Sequence, residues 1–279
     1  MQPVVFKKPG GIFALLLILG LLFPAAASAF VPQAPHLFYM MTKKLGRAKT
    51  LRVEQVVEIP PYRPAESAGK EALVETTLLR EVSYYAFPGR YRSLLTSEGE
   101  SRDHLFLPEG SATLIAGERV EGIEASMDRY KALILLRNRK VLLRYLTLAG
   151  VGVEVTSLGR FQGGIHYVVG ARPSDETSPQ VWVDRETLLP SRWITGEHGL
   201  EIRYMGWRKF GKAWYPREIR FLVGGKVVRR ILVESVIEGK PVPESLFRLD
   251  TDLVGGIGDM ELFLYTDDLA AEEGETASG

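Results

Sequence analysis

Between Val181 and Leu249 the chain keeps repeating one pattern, an apolar residue at alternate positions and then a turn. The runs are VWVDRETLLPSRWI, LEIRYMGWRKF, AWYPREIRFLV and KVVRRILVESVIEG, closed by PESLFRL. Leu189-Pro190, Gly196 to Gly199, Phe210-Gly211 and Gly224-Gly225 punctuate them. A period of two belongs to strands, and short breaks bearing Gly and Pro join strands antiparallel. Neighbouring strand residues point to opposite sides, so Leu200, Ile202 and Tyr204 share a face opposed by Glu201 and Arg203. Tyr215, Ile219, Phe221 and Val223 form a like set opposed by Glu218 and Arg220, and Val227, Ile231, Val233 and Ile237 another. The stretch is expected to be an antiparallel meander with one apolar, concave wall.

The order Trp182, Val183, Asp184, Thr187, Pro190, Arg192, the later Tyr215-Pro216 and the closing Pro243, Leu246, Phe247, Leu249 resemble the C-terminal half of a known family. It is that of the periplasmic lipoprotein-sorting carriers, the LolA/LolB-like superfamily. The resemblance spans most of residues 36 to 249. It implies an α+β fold, an unclosed antiparallel β-barrel (half-barrel) of about ten or eleven strands with helices covering its concave apolar face. The turn from Pro88 to Arg92 fits the same family with one departure. The carriers tend to have Arg before that proline, associated with holding the helical lid shut, and this chain has Phe87.

Residues 1 to 29 read as a cleavable secretory signal. Lys7 and Lys8 precede an apolar run from Ile12 to Phe23, and Ala27-Ser28-Ala29 supplies small residues for cleavage. The run is shorter than the roughly 20 residues that span a bilayer. A single carrier-like domain is expected over residues 30 to 250, followed by a C-terminal extension, 251 to 279, with a disordered acidic tail. The chain has no cysteine, which excludes disulfides and thiolate metal sites. A bacterial lipoprotein needs Cys at its first mature position, where Phe30 stands, so the protein is expected in the periplasm without being lipidated itself. With 35 basic and 34 acidic residues, the charge balance suggests no nucleic-acid partner.

Pro35 to Gly46 has helical spacing, and Leu51 to Ile59 alternates as a half-buried strand. Val74, Leu78, Val82 and Tyr84 share the apolar parity of the next strand. Val151, Val153 and Val155, then Ile165, Tyr167 and Val169, read as two strands joined through Gly159 to Gly164. From Ile123 to Leu148 the period turns helical, giving two helices or one bent one with Arg137 to Lys140 as an exposed joint.

Catalytic signals are poor, and the chain reads as no enzyme. Ser67-Ala-Gly-Lys70 has the S-x-x-K spacing but no S-D-N or K-T-G partner follows it. His36, His104, His166 and His198 stand apart, so neither metal nor cofactor is expected. An apolar wall needs no such groups to hold an acyl chain, since each buried methylene contributes about 0.8 kcal/mol. Tyr204, Tyr215, Ile219, Phe221, Ile231, Trp193 and Leu135 are the candidate lining. Arg137, Arg139 and Lys140 are candidate contacts for a lipid headgroup or an acidic partner. The reading is a monomeric carrier or chaperone taking lipid or acylated protein toward the outer membrane, with a membrane-protein donor or acceptor as a possible partner. The alternatives are an envelope sensor or scaffold of the same fold that binds another protein and, further off, a secreted hydrolase.

Overall fold

Two meanders, one running from the middle out to an edge and the other from the opposite edge back to the middle, make one thirteen-stranded antiparallel sheet. The computed structural model describes residues 31–61, 75–97, 100–108, 110–120, 127–196 and 199–248. Helix α1 (Ala34–Leu45) leads into β1 (Thr50–Ile59). From there β2 (Thr77–Ala86), β3 (Arg90–Ser97), β4 (Glu100–Leu107), β5 (Gly110–Ile115) and β6 (Glu118–Arg119) step outward to one edge. The second meander begins at the other edge with β7 (Thr156–Phe161), β8 (Gly164–Val169), β9 (Gln180–Asp184), β10 (Pro190–Ile194) and β11 (Leu200–Met205). It makes a separate small hairpin, β12 (Arg208–Phe210) and β13 (Ala213–Tyr215). It then returns through β14 (Glu218–Val223) to β15 (Lys226–Glu238), which pairs with β1. The edges β6 and β7 do not meet, so the sheet is an unclosed half-barrel.

This topology dictates where the helices lie. The chain leaves β6 at one edge and must reach β7 at the other, so the connection has to cross the sheet. Its described part is a 3-10 turn (Met127–Lys131), α2 (Ala132–Leu135) and α3 (Arg139–Leu148). Leu133 to Leu136, Leu142 and Leu146 of this crossing enter one buried cluster with Leu37, Phe38 and Met41 of α1 and the inward residues of the strands. Burying such a side chain fully contributes about 1.5–3 kcal/mol against the entropy of ordering it. The crossing segment is therefore wide in its apolar surface because it is sandwiched between sheet and α1.

Local chemistry places the helix ends. Pro35 sits in the first turn of α1, and Lys43 and Lys44 in its last turn complement the helix dipole. At Gly46 the backbone has φ +100°, and a Cβ would lie 1.9 Å from the Lys212 carbonyl oxygen. Only glycine lets α1 close onto the hairpin there, where Gly46 bridges Ala213. Asn138 caps α3 by accepting from the Lys140 and Val141 amides at 2.8 and 3.3 Å.

On the outer face, the closing segment folds back over β2 to β4. Phe247 packs with Leu105 and Ala86, Arg90 pairs with Glu244 at 2.6 Å, and Arg92 donates to the Leu246 carbonyl at 2.9 Å.

Several expectations are corrected. Val151 to Val155 is not a strand; β7 starts at Thr156 and carries Gly159 within it. A Cβ at Gly159 would lie 2.5 Å from the Trp182 ring, so this glycine makes room for an aromatic neighbour and the turn is made at Gln162-Gly163 instead. Val223 keeps the inward parity, opposite Leu200, yet is 38% exposed at the end of β14 beside the Gly224-Gly225 turn, while Leu222 is buried on the outer parity opposite Glu201. In β2 the inward parity is Glu81, Ser83 and Tyr85, opposite to the apolar set, and Leu78 is 63% exposed. Arg137, expected at an exposed joint, turns inward. The strand count rises above ten or eleven because the runs 181–194, 200–210 and 213–223 each split into two strands and β6 adds a short edge. The signal segment, the Ser67 to Lys70 loop and residues 251–279 lie outside the described residues.

Candidate functional site

Six of the candidate lining residues lie in the cluster beneath the crossing segment and the seventh, Leu135, lies in that segment itself, each 0–3% exposed. Ile219 stands opposite both Tyr204 on β11 and Ile231 on β15, and Ile202 stands opposite Phe221 and Trp193. The cover touches this wall at defined points. The Tyr130 ring meets Phe221 edge-on at 5.7 Å, Tyr145 meets Trp193 at 6.3 Å, and Tyr204 Oη donates to the Tyr130 carbonyl at 2.9 Å. Tyr215 Oη lies 2.8 Å from Tyr85 Oη. The polar tips of both tyrosines are thus engaged by the protein.

Under the 3-10 turn, the wall formed by β1 to β5 carries a polar patch among core residues such as Leu51, Val53, Val57 and Leu95. Glu81 accepts from Gln55 Nε2 at 2.8 Å, from Ser83 at 3.3 Å and from the Ser93 hydroxyl. Tyr91 Oη joins Ser83 at 3.0 Å and Tyr130 at 3.2 Å. Beside this chain, Asp128 of the turn pairs with Arg102 of β4. Lys131 Nζ donates to His104 Nε2 at 2.6 Å, and an ammonium can only donate, so the imidazole proton is on Nδ1. That nitrogen faces Thr113 Oγ1 at 2.8 Å and Asp128 Oδ2 at 3.4 Å. Arg102, His104, Asp128 and Lys131 are all buried.

The titration of this group follows from its burial. Burial, outweighing Asp128 and helped by Lys131 and Arg102, pushes His104 down to about 3, so it is neutral at pH 7. Burial likewise brings Lys131 down to about 8 against the pull of Asp128. Burial acts to raise Asp128, but its neighbours, chiefly the cations Lys131 and Arg102 while His104 is neutral, hold it well below the usual carboxylate range. The turn is therefore pinned to the sheet by ion pairs and hydrogen bonds in a dry setting, where they are strong and their loss is expensive.

A second fastening lies at the start of α3. The Arg137 guanidinium sits 4.4 Å from the centre of the Phe87 ring and donates from Nη1 to the Gly46 carbonyl at 3.2 Å. Its Nε and Nη2 are buried without a partner, and burial lowers it to about 9 despite Tyr85. The cation–π contact offsets part of that desolvation. Replacing Arg137 with Met removes the buried charge and keeps most of the packing, so the thermal midpoint is expected to hold or rise, by up to about 1 kcal/mol in stability. A loss beyond about 2 kcal/mol would mean that the ring contact and hydrogen bond outweigh burial.

No protein-family model and no curated protein sequence matches the chain. Solved structures do resemble it. A LolA superfamily protein from Nitrosomonas europaea is 12% identical, with a TM-score of 0.50 over 78% of this chain and 99% of its own. The fold is LolA-like. A putative outer membrane lipoprotein-sorting protein domain from Vibrio parahaemolyticus is 10% identical, covering 76% of this chain and 95% of its own at a TM-score of 0.47. A DUF1329 family protein from Desulfovibrio piger is 12% identical over 78% and 98% at 0.49.

Within this LolA-like fold the structure brings Tyr204, Tyr215, Ile219, Phe221, Ile231, Trp193 and Leu135 together and parts the three basic candidates. Arg137 faces inward, while Arg139 and Lys140 stay on the outer side of α3. Sequence reasoning missed the polar patch, because Glu81, Ser83, Ser93, Arg102 and His104 look like outward residues until their strands are paired. The one signal available was in β2, where Glu81 and Ser83 alternate with the larger apolar Val82 and Tyr84. Among the described residues no group of three or more His, Asp or Glu side chains is placed to hold a metal ion.

Proposed function

We propose that this protein is a periplasmic carrier that binds the acyl chains of lipoproteins, or of another lipid, between the meander wall and the α2–α3 cover and moves them toward the outer membrane. Residues 30 to 250 would act as one domain, exported by the N-terminal signal and not lipidated. The observation that carries this reading is the gathering of one apolar wall from β10, β11, β13, β14 and β15 under a cover, residues 127–148, that contributes no strand to the sheet. Lifting that cover exposes a trough of aliphatic and aromatic side chains without breaking a single strand pair. Tyr204, Tyr215, Ile219, Phe221, Ile231, Trp193 and Leu135 would then line the acyl site, with the tyrosine tips released to meet the polar end of the cargo. The work is binding, not catalysis.

Purified protein is expected to bind a fluorescent fatty-acid probe saturably, and native mass spectrometry of protein prepared without detergent should reveal a lipid or lipopeptide adduct lost on organic extraction. Absence of both probe binding and adduct would overturn the carrier reading. A specific envelope protein captured in the same preparation would then favour the scaffold.

A further inference from the structure

The basic residues of this nearly neutral chain are not evenly spread. Residues 34–49, 136–148 and 206–217 contain no Asp or Glu, and they are the segments that build α1, the start and body of α3, and the β12–β13 hairpin. Their contacts join them into one face. Arg139 of α3 and Lys43 of α1 both stack on Tyr39, at 5.7 and 5.3 Å from its ring centre. Lys44 lies 5.1 Å from the Trp214 ring of the hairpin, and Lys209 stands opposite Trp214 on the same side of that ribbon. The Arg47 amide donates to the Lys212 carbonyl at 3.0 Å, tying the end of α1 to the hairpin turn. Glu238 approaches at Gly211, behind that turn.

We infer that this face docks on an anionic phospholipid surface. Tyr39, 40% exposed, and Trp214 are rings with a polar tip and ammonium or guanidinium groups stacked on them, the combination that sits at the headgroup level of a bilayer. Lys43, Lys140 and Lys209 are exposed, one on each element, so cations from all three can meet a charged plane together. Charge, aromatic tips and spread over three elements fit a membrane better than a pocket-filling anion. The inference rests on this surface alone and not on the carrier reading, since a scaffold of the same fold would use the face equally well.

The test is co-sedimentation of the purified protein with vesicles of phosphatidylcholine alone and of phosphatidylcholine mixed equally with phosphatidylglycerol. Binding is expected to the mixed vesicles only, falling steeply with added salt. The triple variant Lys43→Glu, Lys140→Glu, Lys209→Glu is expected to weaken that binding by about a hundredfold or more. The reversal Arg172→Glu, Arg185→Glu, Lys226→Glu changes net charge equally at exposed sites outside the three elements and should leave most of the binding intact. A milder Lys→Gln triple at the same three sites, with an unchanged thermal transition, keeps the result separate from folding. Equal binding to both vesicle types, equal loss in both triples, or binding to an acidic protein with none to vesicles would overturn the inference. Probe binding that survives in the Lys→Glu triple would separate the docking face from the acyl site.

Discussion

Asp128→Asn is expected to destabilise the protein by about 3–5 kcal/mol, read as a lower urea midpoint. Asp128 is buried against Arg102, His104 and Lys131, and substitution removes the one carboxylate that the 3-10 turn presents to two cations. Arg102 and Lys131 would stay in a dry interior with their attraction to Asp128 gone, and a buried charge stripped of its partner is among the most damaging changes a fold can meet. Arg102→Met with Asp128→Leu supplies the contrast. It removes one cation and one anion together, leaving Lys131 with Glu81 nearby, and should recover most of the loss. If the double variant is as unstable as Asp128→Asn, the cluster acts through shape and not through charge balance.

The second large effect is on acid stability. His104 takes up a proton near pH 6.5 in the unfolded chain but only near 3 in the folded protein. Between those values the unfolded state binds a proton that the native state refuses, so stability falls as pH drops through the window. Each pH unit inside it is worth about 1.4 kcal/mol, so this residue alone accounts for a loss on the order of 4 kcal/mol by pH 3. Asp128 has a depressed pKa and adds to the loss below its ordinary 3.8, where the unfolded chain again binds the extra proton. Urea unfolding at a series of pH values should show a steep decline from pH 6 to 4 in the native sequence. In His104→Gln, which cannot titrate, the slope is expected to flatten by about 1.4 kcal/mol per pH unit. An unchanged slope would mean that His104 is protonated in the fold.

Both effects concern the fastening of the cover, and they bear on how such a protein opens. Lys131 and Asp128 hold the 3-10 turn through charge, whereas Arg137 holds α3 through one ring and one carbonyl with two nitrogens unpaired. The two fastenings thus differ in kind, and α3 is held besides by the buried Leu142, Tyr145 and Leu146.

The comparison of sequence and structure divides along a physical line. Period-two alternation alone placed Leu200, Ile202 and Tyr204 inward and Glu201 and Arg203 outward, because strand parity is a property of the backbone. The same rule found β1, helical spacing found α1, and composition alone excluded disulfides. It failed at β2, where Val82 and Tyr84 are the more apolar parity yet Glu81, Ser83 and Tyr85 are buried. Hydropathy measures the cost of burying a side chain with no partner. Glu81 is buried with Gln55 and Ser93, and the one nearer in sequence lies twelve residues away. Val223 shares the parity of Ile219 and Phe221 but ends β14 and stays 38% exposed, since parity fixes a residue's side and not its cover. Arg137 looked like part of a solvated joint because nothing local shows that Phe87, fifty residues earlier, waits beneath it. The sequence by itself determined most of the strands, the apolar side of the meander wall and the helical character of the crossing segment, all of which depend on neighbours a few residues apart. Only the tertiary structure decided that the inner wall carries a polar patch on β2 to β4 and that ion pairs hold the cover down, because those depend on which distant strands come to lie side by side.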